Sequence, residues 1–325
     1  MTAPLLEVRN LEVAFPSANG RLAALRGVDF HVAAGEVLGL VGESGSGKSL
    51  TMLSIMGLLA PNVQVSGSVK FAGEELLGQP DAALRRYRGR RIAMIFQDPM
   101  TALNPVIPIG DQIVEAIRIH QPRLSRGAAR ARAVDLLAQV AIPDPERRAT
   151  QYPFEFSGGM RQRAMIAMSL ANDPELLIAD EPTTALDVTI QAQVIEVMER
   201  LRRERGIGLI LITHDLGLVA GVADRVAIMY AGRVVEQAAT AEVFYRPRHP
   251  YTRRLLASLP RFDDDVERLA TIEGVPPSPA RRPPGCAFAP RCLAAIERCA
   301  VDDPLPRPVG ASLVACHRAD EEVPA

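Results

Sequence analysis

The chain has no tryptophan, and its first 285 residues have no cysteine, so thiol chemistry is confined to residues 286–316. It has no excess charge either: 37 Lys and Arg against 38 Asp and Glu leave a formal charge of −1. A general nucleic-acid binder carries a basic surplus, so that class is disfavoured, although a local patch stays open. No apolar run approaches the roughly 20 residues of a spanning helix; VLGLV (37–41) and LILI (209–212) are among the longest. The opening MTAPLLEVRN shows no basic n-region followed by an apolar h-region, so no signal peptide is expected. Low-complexity tracts and internal repeats are missing as well. These absences predict a soluble, cytosolic chain that meets a membrane only through a partner.

What is present is a chain of 325 residues, 48% apolar, enough for about two domains and a sizeable core. Short apolar or alternating runs predict strands at 5–15, 31–42, 91–96, 175–180, 207–213 and 225–230. The AG pair at 231–232 followed by RVVEQ predicts a hairpin. Apolar residues spaced three and four apart predict helices at 110–120, 127–140, 158–171 and 189–204. Strands alternating with helices indicate a mainly parallel α/β sheet. The stretch from about 98 to 170 has helices and few strand signals, and reads as an inserted helical subdomain. After about residue 245 the texture changes: RPRHPYTRRLLASLP, acidic FDDDVER (262–268) and GVPPSPARRPPG predict a small loop-rich appendix.

GESGSGKS (42–49) follows a predicted strand and opens a predicted helix, fitting G-x-x-x-x-G-K-[ST]. Gly42, Gly45 and Gly47 let the backbone curl so that its amides form an anion nest at a helix N-terminus. Lys48 brings a point charge to the β- and γ-phosphates, and Ser49 offers a hydroxyl to Mg²⁺. With Glu43, Ser44 and Ser46 between them, these residues form the expected ATP site. LLIADE (176–181) is a buried strand that delivers two acids at its end. Asp180 is expected in the Mg²⁺ shell and Glu181 at the attacking water. His214 and Gln97 also close apolar runs, but neither reads as functional alone.

Together with FSGGMRQR (156–163), these motifs resemble the ATP-binding subunit of an ABC transporter over about residues 5 to 245. The resemblance implies an α/β, ABC-type P-loop ATPase core. Its mainly parallel sheet would be joined by an antiparallel β-subdomain and the inserted helical subdomain. It further implies that Phe15 stacks on adenine, that Gln97 contacts Mg²⁺ or the attacking water and senses the membrane partner, and that His214 holds the γ-phosphate. TALD (184–187) resembles the D-loop, with Asp187 bridging two ATPase subunits. Ser157, Gly158, Gly159 and Met160 would reach the ATP on the opposite subunit. Met160 replaces the commoner glutamine and cannot donate that amide's hydrogen bonds; the same form is found in one subunit type of peptide importers.

FQDPMTALNPV (96–106) and VFYRPRHPYTRRLLASLP (243–260), with HPYT at 249–252, resemble the oligopeptide and dipeptide importer branch. That resemblance implies an ATPase domain over 1–245 and an importer-type C-terminal domain over 246–325. It also implies a heterodimer with a homologous ATPase subunit, two transmembrane permeases, an extracytoplasmic substrate-binding protein and no nucleic acid. The chain would lie peripherally on the cytoplasmic face of the membrane. Nickel importers share the framework, so the cargo stays open. A soluble ABC ATPase acting on DNA or ribosomes is disfavoured by the single cradle, the single signature and the lack of heptads and of a basic stripe. A nonhydrolysing regulatory subunit is disfavoured by the filled positions Glu181 and His214.

Cys286, Cys292, Cys299 and Cys316 are separated by five, six and sixteen residues. Four thiolates match the ligand count of a [4Fe–4S] cluster or a structural zinc, but the spacing fits neither pattern and free thiols stay open. The importer resemblance implies a structural [4Fe–4S] cluster, with zinc as the alternative, closing the loops of a tail too small to make much core.

Overall fold

The computed structural model describes residues 3–18, 20–184, 186–259 and 272–321. The acidic FDDDVER run lies outside them. The strands are β1 (Leu6–Ser17), β2 (Gly20–Val32), β3 (Val37–Val41), β4 (Gln64–Phe71), β5 (Glu74–Glu75), β6 (Ile92–Ile95), β7 (Leu176–Asp180), β8 (Gly208–Thr213), β9 (Arg225–Tyr230), β10 (Arg233–Ala239), β11 (Arg307–Val309) and β12 (Ser312–Val314). The chain divides into two compact units. The first comprises Met1–Val32, Val37–Gly78 and Leu211–Ala325, and the second Ala33–Glu36 and Gln79–Ile210.

In the first unit, β1 pairs antiparallel with both β2 and β4, and β4 with β5, giving the order β2-β1-β4-β5. Leu6, Val8, Leu11 and Val13 of β1 are buried. The step of three from Val8 to Leu11 breaks the two-residue alternation, and a bulge at that point restores the facing, with Asn10 at φ +44°. This antiparallel sheet is the β-subdomain that the family resemblance implies. The remaining strands of the unit run β11-β12-β10-β9-β3, with β3 and β9 parallel and the others antiparallel. All five residues of β3 are buried, as its uninterrupted VLGLV requires of a strand covered on both faces. The predicted hairpin at 231–232 is present. Tyr230 pairs with Arg233, and Ala231 and Gly232 take φ +46° and +82°, the left-handed pair that a two-residue turn needs.

In the second unit, β6 pairs parallel with β7, placing Ile95 opposite Ala179, so both strands end at the same edge. The predicted helices occur as Ile109–His120, Arg126–Gln139, Gly158–Ser169 and Val188–Arg205. Their starts follow sequence chemistry: Ser125, Ser157 and Asp187 each cap the helix that follows by accepting a backbone N–H. Gly206, at φ +65°, ends the last helix behind Arg202, Arg203 and Arg205, which complement its negative end. Among the described residues no helix is long and apolar enough to cross a membrane.

Candidate active site

In the first unit, β3 runs into the loop Gly42–Gly47 and the helix Lys48–Ile55. The loop is shaped by close approach. A Cβ on Gly42 would lie 2.2 Å from the carbonyl oxygen of Met229, and one on Gly47, at φ +106°, would lie 2.6 Å from the Leu25 side chain. Only glycine fits at either position. Lys48 Nζ folds back to donate to the carbonyls of Gly42 (2.7 Å) and Glu43 (3.1 Å). The Ser46 hydroxyl is buried without a hydrogen-bond partner. A buried hydroxyl left unmatched costs about 1–3 kcal/mol, so its place in this loop marks a position awaiting an acceptor. Ser44 and Gly45 on the loop and Ser49 in the first turn of the helix are exposed. Backbone donors, serine hydroxyls and a lysine gathered here form a donor set that fits a polyphosphate. Phe15, half-buried near the tip of the β1–β2 hairpin, pairs across it with Leu22. His214 is exposed at the junction between β8 and the helix Leu216–Val222, next to Asp215, which caps that helix by accepting from Leu218 N–H at 3.1 Å.

In the second unit, β7 delivers Asp180, 5% exposed, and then Glu181. Glu181 sits at φ +47°, a left-handed conformation that is costly for a residue with a side chain. Its Oε2 accepts from Gln97 Nε2 and from Thr184 Oγ1, each at 2.9 Å. The ends of the paired strands β6 and β7 thus bring Gln97, for which the resemblance implies a contact to Mg²⁺ or the attacking water, to Glu181. Ser157 and Gly158 lie exposed at the start of Gly158–Ser169, and Ser157 accepts from Met160 N–H at 3.3 Å. A Cβ on Gly159 would come within 2.5 Å of the Ile190 side chain, which would have to shift to admit one. Asp187 is exposed and caps Val188–Arg205 through Ile190 N–H at 3.0 Å, a local role that the D-loop reading did not include.

The HPYT segment and the tail belong to the first unit. His249 caps the helix Pro250–Ala257 by accepting from Tyr251 N–H at 3.0 Å, with Pro250 at the first helical position. The buried carboxylate of Glu236 accepts from the N–H groups of Arg248 and His249, both at 2.8 Å, and burial raises its pKa. Tyr251 Oη accepts from Glu43 N–H at 3.0 Å, so this helix reaches the phosphate loop. Sequence reading missed Glu236, Tyr230 and Arg291, which organise the segment. The HPYT tetrad signalled a family but said nothing of these partners.

The family pattern described as ABC transporter matches residues 25–184, and that described as oligopeptide/dipeptide transporter, C-terminal region, matches 235–299. The chain is 48% identical to the oligopeptide transport ATP-binding protein OppD of Escherichia coli over 98% of its own length and 94% of that protein's. It is 50% identical to the protein of the same name in Haemophilus influenzae, covering 92% of each. A Mycobacterium tuberculosis relative, also named OppD, is 52% identical, but the chain spans only 50% of its length. Among solved structures, the dimeric ATP-binding cassette MJ0796 with ADP and Pi superposes with a TM-score of 0.65 at 26% identity, over 72% of this chain and 98% of that one. CbiO1 of Clostridium perfringens, part of the ABC transporter complex cbiONQ, gives 0.63 at 28%, over 75% and 92%. The fold is thus that of an ATP-binding cassette. The chain belongs to the ABC transporter family, in its oligopeptide/dipeptide branch.

The cluster expected at Cys286, Cys292, Cys299 and Cys316 is not supported. The relatives are named as ATP-binding proteins alone. Among the described residues no group of three or more His, Cys, Asp or Glu side chains is placed to hold a metal ion. Burial pushes the Cys286 thiol up to about 11, with Cys299 and Cys316 adding to the effect, and it raises Cys292 and Cys316 too. Thiolates ligate metals, whereas buried protonated thiols pack as small apolar groups. Cys316 packs against Val309, Val314 and Ala319. The loops are closed by other means. The β11–β12 hairpin joins the edge of β10. Asp303 pairs with Arg26 at 2.5 Å and Arg233 at 3.1 Å. Phe288, 1% exposed, stacks edge-on against Tyr230 at 5.3 Å and lies 5.4 Å from the Tyr251 ring.

Proposed function

We propose that the chain is the ATP-hydrolysing subunit of an ABC importer of di- and oligopeptides, bound peripherally at the cytoplasmic face of the membrane. The observation that carries the reading is the loop at 42–49, with its glycine-only approaches, its folded-back Lys48 and the unmatched buried hydroxyl of Ser46. In this reading Gly42 to Ser49 take the phosphates and Phe15 takes the adenine. Ser49, Gln97 and Asp180 would hold Mg²⁺, which supplies charge neutralisation on the transferring phosphoryl group. Glu181 takes the proton of the attacking water, and Gln97, hydrogen-bonded to it, orients the pair. His214 holds the terminal phosphate. Ser157, Gly158, Gly159 and Met160 serve the nucleotide of a second, homologous ATPase subunit, with Asp187 at the junction.

Residues 1–245 act as the ATPase domain and 246–325 as the importer-type C-terminal domain, working with two permeases and an extracytoplasmic peptide-binding protein. The names of the relatives and the matched C-terminal region support peptide as the cargo. Replacement of Glu181 by Gln should leave MgATP binding in place and lower turnover at least ~100-fold, the usual scale of a lost general base. Turnover within tenfold of wild type contradicts the assignment. Affinity purification should recover two polytopic membrane proteins and a sibling ATPase; recovery of ribosomes or nucleic acid contradicts the importer reading.

A further inference from the structure

Glu43, the second residue of the phosphate loop, is gripped by side chains from far along the chain. Its carboxylate receives both arms of Arg291, Nη1 to Oε2 at 2.8 Å and Nη2 to Oε1 at 3.1 Å. Its N–H donates to Tyr251 Oη at 3.0 Å, and its carbonyl accepts from Lys48 Nζ at 3.1 Å. Arg291 is itself buried and tied down on several sides. Its side chain is 6% exposed and donates to the carbonyls of Glu273 (3.0 Å) and Ile272 (3.2 Å) and to Tyr230 Oη (3.2 Å). Its guanidinium also lies 5.8 Å from the centre of the Tyr230 ring. Such a two-pronged guanidinium–carboxylate pair fixes orientation as well as charge.

A carboxylate within a loop that cradles an anion opposes that anion. In this loop the opposing charge is cancelled by a side chain from the cysteine-bearing tail. The same grip sets the carbonyl on which the Lys48 amine rests. We propose that Arg291, seconded by Tyr251, is a positioning residue for nucleotide binding: it neutralises and immobilises Glu43, so that affinity at residues 42–49 depends on the C-terminal segment. The inference rests on the reading of that loop as the nucleotide site.

The test is calorimetric titration of the full-length chain with MgADP. The variants are Arg291→Met, Glu43→Gln/Arg291→Met, and Lys48→Ala as control, with melting of each measured without nucleotide. Arg291→Met should bind about tenfold more weakly, because the Glu43 charge is exposed at a desolvated site. The double variant should bind at least about threefold more tightly than Arg291→Met, because the charge released by the first change is removed by the second. A double variant as weak as Arg291→Met, or an Arg291→Met chain within twofold of wild type, overturns the proposal. A merely structural staple would give no such recovery, and melting of the double variant would fall at least as far as that of the single. If Arg291→Met does not fold, Arg291→Gln with and without Glu43→Gln reads the same recovery. Failure of the underlying site is distinguishable, since Lys48→Ala would then bind MgADP as wild type does.

Discussion

At the scale of residues, the buried imidazole of His249 makes a prediction of its own. It is 2% exposed and accepts the Tyr251 N–H, and burial pushes its pKa down to about 3. Unfolded, it titrates near its ordinary value of ~6.5. The unfolded chain therefore binds the extra proton between these values. The stability that the neutral ring contributes is complete above about 6.5 and is lost as the pH falls towards about 3, by up to ~1.4 kcal/mol per pH unit. Neighbouring Glu236 has its pKa raised by burial, so its contribution is lost as the pH rises, and only the difference between wild type and variant isolates His249. In urea unfolding at pH 7, 6 and 5, His249→Asn should be less acid-sensitive than wild type by about that slope; parallel slopes would contradict the account. Residues whose chemistry is local were legible in the sequence, Lys48 and Glu181 above all. Arg291 was not, because an arginine in a proline-rich stretch gives no sign of the distant acid that it meets.

Elements were legible in proportion to their periodicity. The buried strands β3, β7 and β8 and the four long helices stand out as apolar runs or faces. β2 and β4 do not, since GRLAALRGVDFHV and QVSGSVKF mix glycine, serine and charge into their alternation. β11 and β12, three residues each, are too short to show a period and exist through pairing with β10. The tail therefore read as loops in need of a metal, whereas strand addition and an aromatic cluster hold it. Phe288 is the centre of that cluster. Phe288→Ala should cost ~3–5 kcal/mol in denaturant unfolding, the range for a buried phenylalanine, and Phe288→Leu less than ~1.5 kcal/mol. A cost below ~1 kcal/mol for the alanine variant would show that the tail is held by something else.

For the molecule as a whole, one phosphate loop and one signature lie on different compact units of a single chain. Ser157 and Gly158 open to solvent at the start of a twelve-residue helix, where the proposed function puts the nucleotide of a second subunit. In the proposed importer cycle, hydrolysis would remove the anion that joins the two, and the equilibrium between closed and open pairs would shift because ATP binds one state better. The most direct measurement is sedimentation of the Glu181→Gln chain mixed with its sibling ATPase subunit, in MgATP and in MgADP. Association at least ~tenfold tighter in ATP is predicted, since only the nucleotide carrying its terminal phosphate favours the closed pair. Equal association in the two nucleotides would contradict the central claim that ATP at residues 42–49 is the joint between subunits.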